Sequence, residues 1–412
     1  MSKIAVLGAG VTGVTTAYAL CQRGFEVTVF ERHRYAAMET SFANGGQLSA
    51  CNAEVWNSLA TVAKGLRWML TQDAPVLMNP RPSWHKYSWL GEFLKEIPRY
   101  RDNTIEAVRL ALAARNHLFS IAERERIDFD HEKRGILHFY ATRDEFEVAS
   151  KVNALLREGG LERRPVTPDE IHSLEPTLRG EFFGGFFTES DSTGDIHKFT
   201  RGLADACVRL GVDFHYDARV QHIAHERSGK VVLSVEEGAE TVQSTFDGVV
   251  ICAGVESRAF ASALGDHVNI YPVKGYSITV CLDDPQSRDN APWKSMHDDK
   301  AKIVTSRLGE DRFRVAGTAE WNGFNRDIRA DRIEPLVRWV REYFPGVATS
   351  RVIPWAGLRP MLPRMVPRVG RGKRDGVFYN TGHGHLGWTF SAATADMVAN
   401  VVSNEMPGRE MH

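Results

Sequence analysis

A chain of 412 residues, 43% hydrophobic and 25% charged, is long enough for two domains and has the composition of an ordinary globular protein. Its 51 lysines and arginines against 52 acidic residues leave a formal charge of −1, and no basic run dominates any segment, which argues against nucleic acid as a partner. Five scattered cysteines without a C-x-x-C pair suggest neither a disulfide framework nor a metal site, so no metal is expected.

No apolar run approaches spanning length, and a strand that begins at Lys3 leaves no room for a signal peptide. The sequence reads as cytoplasmic, a reading that peripheral docking on the inner membrane would not contradict.

From Lys3 to Arg32 a buried strand, a glycine turn, an apolar helix and a second strand follow one another directly, which is the order of a dinucleotide-binding βαβ unit. Gly8 permits the turn, Gly10 lets the backbone approach a pyrophosphate, and Gly13 lets the helix pack close to the sheet. Val11 and Thr12 open the helix, where amides and the positive end of the helix dipole face phosphates. Glu31, at the end of the second strand and followed by Arg32, is placed to accept hydrogen bonds from both ribose hydroxyls, which disfavours a 2′-phosphate. The plain alternative is a strand–helix turn that binds nothing.

The stretch Met38–Ser49 is a loop of small residues in which Ser41, Asn44, Gly45, Gly46 and Gln47 suit a flat polar ring laid against backbone amides. Residues 53 to 100 are rich in aromatics (Trp56, Trp68, Trp84, Tyr87, Trp89) and read as core in preference to a lid or a membrane-facing patch. Helical spacing runs from Thr104 to Arg126, a strand pair is expected around Gly135, and helix returns over Asp144–Glu158, at Thr167–Pro168 and over His197–Leu210. A short strand at Val212–Tyr216 and a hairpin through Ser228–Gly229–Lys230 precede Phe246–Gly254, an apolar strand that meets a ligand at its glycine end. Strands at Tyr276–Leu282, Lys302–Thr305 and Arg312–Ala316, with a helix from Arg332 to Tyr343, read as a second domain inserted into the first.

Near the C-terminus, strand Gly376–Thr381 leads through the glycine loop Gly382–Gly387 into a helix beginning at Trp388. Two helix N-termini facing ligand, separated by nearly the whole chain, suit a cofactor longer than NAD, and FAD fits.

The stretches Glu39–Ser49 (ETSFANGGQLS), Tyr271–Thr279 (YPVKGYSIT), Gly317–Asn325 (GTAEWNGFN), Trp355–Met361 (WAGLRPM) and Asn380–Thr389 (NTGHGHLGWT) resemble the FAD-dependent D-amino acid oxidase superfamily, and within it the bacterial D-amino acid dehydrogenases (small subunit), from end to end. The resemblance implies an α/β fold: a discontinuous Rossmann-like FAD-binding domain (1–50, 104–127, 195–258 and 352–412) with an inserted, mostly antiparallel α+β substrate domain and lid (51–103, 128–194 and 259–351). It also implies that Glu31 binds the adenosine ribose, Val220 the adenine by its backbone, and Ser41, Gly45, Gly46 and Gln47 the central and flavin parts. Gly254 joins the cofactor set. Gly384, His385, Leu386 and Gly387, with Trp388 and Thr389 behind them, would border the pyrimidine edge of the isoalloxazine. Arg359 would hold the substrate carboxylate, and Tyr276 would wall the pocket; a structural ion pair and a core tyrosine are the plain alternatives. The absence of any cysteine after Cys281 implies non-covalent FAD.

Two departures stand near the expected substrate entrance. Relatives follow the arginine motif with Thr-Pro-Asp-Gly where this chain has Leu362-Pro363-Arg364-Met365, and Ala50-Cys51-Asn52 replaces their Pro-Gly-Tyr. The expected function is hydride transfer from Cα of a D-amino acid to the flavin, giving an imino acid that hydrolyses to a keto acid and ammonia, with electrons passed to a quinone or respiratory carrier. The alternatives are a narrower dehydrogenase of cyclic D-imino acids such as D-hydroxyproline, an oxidase, a nicotinamide enzyme and a non-catalytic flavin-bound subunit.

Overall fold

The computed structural model describes residues 1–68, 75–226 and 229–406. The side chain of Trp68 and the turn residue Ser228 lie outside the described residues.

A six-stranded sheet runs in the order Arg368–Arg371, Val377–Thr381, Gly248–Ile251, Lys3–Leu7, Glu26–Phe30, Asp213–His215. Its strands are parallel except for the Arg368–Arg371 edge. Successive residues serve opposite faces, as strand geometry demands. Ile4, Val6 and Val250 enter a core with helices Val11–Cys21 and Gly387–Glu405. Ala5, Leu7, Val249 and Ile251 enter another with Leu233 and Val235 of the antiparallel strands Ala218–His225, Val231–Glu237 and Glu240–Phe246. Burial on both faces is why these central strands are continuously apolar.

The inserted body is a nine-stranded sheet ordered Val352–Met361, Tyr271–Cys281, Arg312–Trp321, Ile303–Leu308, Ser295–Asp298, Ile136–Tyr140, Gly184–Thr188, Arg164–Val166, with Val76–Met78 paired to Arg312–Trp321. Helix Ala330–Tyr343 covers one face through Leu336, Val337 and Val340.

Three expectations need correction. Strand Val352–Met361 is the edge of the inserted sheet, so the boundary at 352 falls early and the chain rejoins the six-stranded sheet at Arg368. No hairpin forms around Gly135: Ile136–Tyr140 pairs with distant strands, and the preceding Glu132 makes one isolated bridge to Thr193. Of the aromatics read as core, Trp89 is 1% exposed, but Trp84 and Tyr87 on the outer side of helix Trp84–Lys95 are 82% and 50% exposed.

The two bodies are joined by a charged knot. Glu39 accepts hydrogen bonds from Arg32 Nη2 at 2.5 Å and from Arg326 Nη1 of the inserted domain at 2.6 Å, and its Oε1 lies 2.9 Å from His33 Nε2. Burial opposes ionisation, but Arg326, His33 and Arg32 outweigh it and hold the Glu39 carboxyl at about 2. Because the folded value lies below the unfolded value of 4.5, this stabilisation is fully present above pH 4.5 and is lost as pH falls toward 2. Glu39→Gln should therefore cost about 1–3 kcal/mol at pH 6, allowing for partial exposure, and little at pH 2. Urea unfolding at pH 6 and pH 3 should show a gap to the parent that narrows on acidification; a pH-independent gap would mean that the ion pairs are not its source.

Candidate active site

At the first glycine turn a Cβ on Gly13 would lie 1.8 Å from the Gly8 carbonyl oxygen, so helix and strand approach more closely than any side chain allows. A Cβ on Gly10 would meet only Ser41 Oγ, at 3.6 Å, which leaves a shallow cradle over the helix start. The Val11 amide donates to Ser41 Oγ at 3.0 Å, while the carbonyl of Thr12 accepts the Thr16 hydroxyl within the helix. Glu31 is aimed by two amides, from Ala9 at 2.7 Å and His33 at 3.0 Å, one on each carboxylate oxygen, so each keeps capacity for a ribose hydroxyl. Burial nevertheless raises its pKa, with those amides working against the rise.

The other predicted cofactor residues on this side differ in what they do. Arg32 is engaged by Glu39 and Glu256, so it braces the site through ion pairs. Val220 stands where the register shifts between Val220 and His222, beside the core that contains Leu7 and Phe30. Gly254 has φ +53° with open space where a Cβ would stand.

The second stretch is pressed onto the inserted sheet. Ser277 Oγ donates to the Ala43 carbonyl at 2.7 Å, Arg314 Nη1 to that of Asn44 at 2.9 Å, and Ser306 Oγ to that of Gly45 at 2.7 Å. Asn44 Oδ1 accepts the Gly46 amide at 3.0 Å. A Cβ on Gly45 would reach within 2.6 Å of Val304, and one on Gly46 within 2.7 Å of Ser306. Gln47 Nε2 is fixed to Ser295 Oγ at 2.7 Å, leaving Gln47 Oε1 buried without a partner. A buried amide oxygen left orphaned next to Gly46, together with the open cradle at Gly10, fits a bound dinucleotide that supplies the missing donor.

The C-terminal loop completes the enclosure. The Gly384 amide donates to the Pro360 carbonyl at 3.0 Å and His383 bridges to Met361, which ties this loop to the strand of Arg359. The Leu386 amide returns to the His383 carbonyl, and Gly387 starts the helix. Trp388 is buried in the core of the six-stranded sheet, while Thr389 Oγ1 accepts the Ser49 amide at 3.2 Å. His385 stacks on Trp56 at 4.9 Å, with Nε2 3.3 Å from the Asn52 carbonyl. Burial, aided by Arg359, His297 and Lys302, pulls its pKa to about 3, so the imidazole is neutral and donates from Nε2.

Arg359 and Tyr276 are not brought together. The Arg359 guanidinium lies over Gly275, where a Cβ would come within 2.3 Å of Cζ. Pairing through Ser277, Ala316, Val304 and His297 puts these residues on the same sheet face as Arg359. Tyr276, one residue from Gly275, points to the opposite face, into the core with Phe313 and Leu336, and donates to Glu320 at 2.8 Å. The expectation that Tyr276 walls the pocket therefore fails on strand parity.

Arg359 has no carboxylate partner among the described residues; Nη1 donates to the Thr318 carbonyl at 2.8 Å. Burial alone pulls it down to about 10, still charged at neutral pH. Thr318 and Ala319 bulge opposite Gly275, and Thr318 takes φ +61°, a costly conformation for a β-branched residue that turns its carbonyl toward the arginine.

Sequence reasoning missed a histidine pair on this sheet face. His138 and His297 stack at 4.2 Å beside Asp299, which also accepts from Tyr140 at 2.9 Å. The imidazole planes are 18° apart, and one ligand atom from each of His138, His297 and Asp299 lies within 4.8 Å of the others. Burial raises the pKa of the Glu54 carboxyl, against the hydrogen bond its Oε1 accepts from the Tyr100 hydroxyl at 2.5 Å.

Glu31→Ala should weaken flavin retention roughly tenfold to hundredfold, corresponding to about 1.5–3 kcal/mol for a lost charged acceptor. Flavin release on dilution, followed by fluorescence, measures it; unchanged retention would remove Glu31 from the ribose site.

The profile described as FAD dependent oxidoreductase matches residues 3–401. The chain is 62% identical to D-amino acid dehydrogenase 3 of Mesorhizobium japonicum, covering 99% of this chain and 98% of that one. It is 39% identical to a D-amino acid dehydrogenase of Dechloromonas aromatica over 99% and 98%. Among solved structures, glycine oxidase from Geobacillus kaustophilus shares the fold with a TM-score of 0.76 at 19% identity, covering 100% of this chain and 97% of that one. L-proline dehydrogenase from P. horikoshii does so with 0.75 at 16% identity, over 99% and 95%. On the whole-length profile match and these identities, the chain belongs to the FAD dependent oxidoreductase family.

Proposed function

We propose that this oxidoreductase is a dehydrogenase that oxidises D-amino acids or cyclic D-imino acids, holding the substrate α-carboxylate on Arg359. The observation that carries this reading is a charged guanidinium, walled in by protein and half-buried, with no carboxylate of its own. A planar fork of donors matches a carboxylate in two places, so it fixes orientation as well as charge. The names of the 62% and 39% identical relatives support the D-configuration and the dehydrogenase activity.

When bound, FAD, held non-covalently, supplies the hydride acceptor for the hydrogen on Cα. The chain's own work is placement. Arg359, braced by the Thr318 carbonyl, sets the carboxylate; neutral His385 adds no second positive charge beside it; the stacked Trp56 and His385 rings exclude water. No acid–base pair is required for hydride departure once the substrate amine is neutral. The imino acid hydrolyses in water to a keto acid and ammonia.

For the electrons we infer a quinone or another respiratory carrier, reached by peripheral contact with the membrane. Leu59, Trp84 and Tyr87, exposed by 72%, 82% and 50%, support this reading, and among the described residues no helix is long and apolar enough to cross a membrane.

Arg359→Lys and Arg359→Ala should leave the flavin spectrum nearly unchanged and lower kcat/KM by roughly thirtyfold to several thousandfold, equivalent to about 2–5 kcal/mol, mostly through KM. Anaerobic flavin reduction by a panel of D- and L-amino acids measures this, and near-normal KM in Arg359→Ala would make the arginine structural. Trp84→Ser should reduce cosedimentation with anionic vesicles severalfold; unchanged binding would remove this patch from any membrane contact.

A further inference from the structure

Strand Arg312–Trp321 shifts its register against Tyr271–Cys281 between the pairs Tyr276↔Gly317 and Lys274↔Glu320, so two residues, Thr318 and Ala319, stand opposite Gly275. A positive φ at the first residue of such a bulge is the province of glycine, which adopts it without steric cost. Here that residue is Thr318, at φ +61°, and its branched Cβ makes the conformation costly. The Thr318 carbonyl accepts from Arg359 Nη1 at 2.8 Å, but a glycine would present the same carbonyl. What a glycine would lack is the hydroxyl. Thr318 is 7% exposed, and its Oγ1 is buried without a hydrogen-bond partner among the described residues. A strained backbone and an unpaired buried hydroxyl each destabilise the free protein, and no contact of that hydroxyl within the chain offsets them.

The hydroxyl stands beside the arginine. Covalent geometry keeps Oγ1 within about 5 Å of the carbonyl oxygen of its own residue, and that oxygen is the one bonded to Arg359. The guanidinium lies over Gly275, the residue that the bulge faces, so bulge and guanidinium share one patch of the sheet. A carboxylate has about four lone-pair sites, of which a two-pronged arginine fills two. A hydroxyl next to the guanidinium is placed to fill a third.

We propose, on the reading that Arg359 holds the α-carboxylate, that Thr318 is a second substrate-binding residue, its Oγ1 hydroxyl donating to a carboxylate oxygen of the amino acid seated on Arg359. The bound carboxylate supplies the acceptor that the free chain lacks. The costly φ then has a purpose: it sets the carbonyl of one residue against the arginine and its hydroxyl against the arginine's ligand.

The experiment compares FAD-loaded Thr318→Val and Thr318→Ser with the parent. Kd comes from the concentration dependence of anaerobic flavin reduction by whichever of D-alanine, D-proline and D-phenylalanine reduces the parent best, and Tm is measured without substrate. Valine keeps the branch at Cβ, and with it the strain, and removes only the hydroxyl. Thr318→Val should raise Kd roughly tenfold to hundredfold, the range for a hydrogen bond to a charged group, while flavin retention is unchanged and Tm stays level or rises. Thr318→Ser, which keeps the hydroxyl, should stay within about threefold of the parent Kd. A hydroxyl with a merely structural role would lower Tm and leave Kd alone. Should Thr318→Val fail to fold or to hold flavin, Thr318→Gly, which relieves the strain and also lacks the hydroxyl, should melt higher than the parent and bind as weakly as predicted for valine. A smaller rise in Kd, a rise accompanied by a lower Tm, or a serine variant as weak as valine overturns the role of Thr318 and leaves Arg359 in place. Near-parent Kd in Arg359→Ala overturns the carboxylate reading on which this one rests, and reduction by none of the three D-amino acids overturns the functional reading itself.

Discussion

One contact makes the rest of the architecture possible: the seating of Ala43–Gln47 on the face of the nine-stranded sheet opposite helix Ala330–Tyr343. Three side-chain donors, from Ser277, Arg314 and Ser306, take the carbonyls of Ala43, Asn44 and Gly45, and the sheet approaches until no Cβ would fit at Gly45 or Gly46. A loop that runs over a surface without strand partners must place its backbone polar groups somewhere, and here the second domain supplies them. The nucleotide turn and the substrate sheet, each folded around its own core, are thereby held to one geometry. The Glu39 knot reinforces that contact from its outer edge.

The division of labour between the two sheets follows from how each is covered. The parallel sheet is buried on both faces, so it can present function only at strand ends, and there Gly8, Glu31 and Gly254 stand. The inserted sheet packs helix Ala330–Tyr343 on one face; its other face packs Val273 and Ile136 against Trp89, Phe93 and Val108 and also carries Arg359, Arg314, Ser306 and His297 toward the cofactor side. Polar and charged residues on that face are buried by the other domain, which explains why so many of them sit in strands.

What was legible in the sequence was local. The βαβ unit, both glycine loops and the long helices announce themselves through short-range period and turn chemistry, and all are present at close to their expected bounds. Arg359 was reached through a motif, and in the structure its Nη1 donates to the Thr318 carbonyl. The misses depend on partners that are distant in the chain. Tyr276 looked like a pocket residue because it neighbours Gly275, yet only the pairing with Val352–Met361 shows which parity faces the arginine. The expected hairpin at Gly135 failed because its strand finds partners far along the chain. Composition could not say that Trp89 turns inward while Trp84, on the same helix, turns out. The stacked His138 and His297 come from strands far apart in the chain that pair side by side, so nothing local marks them.

Gly275 has an evolutionary consequence. Because the Arg359 guanidinium occupies the volume where any side chain at 275 would begin, position 275 cannot be altered gradually without moving the arginine. A change there displaces the anchor outright. Asp299 and Lys302 belong to a hairpin tip, a part of the fold that accepts substitution at little structural expense, whereas position 275 is closed to every residue with a side chain.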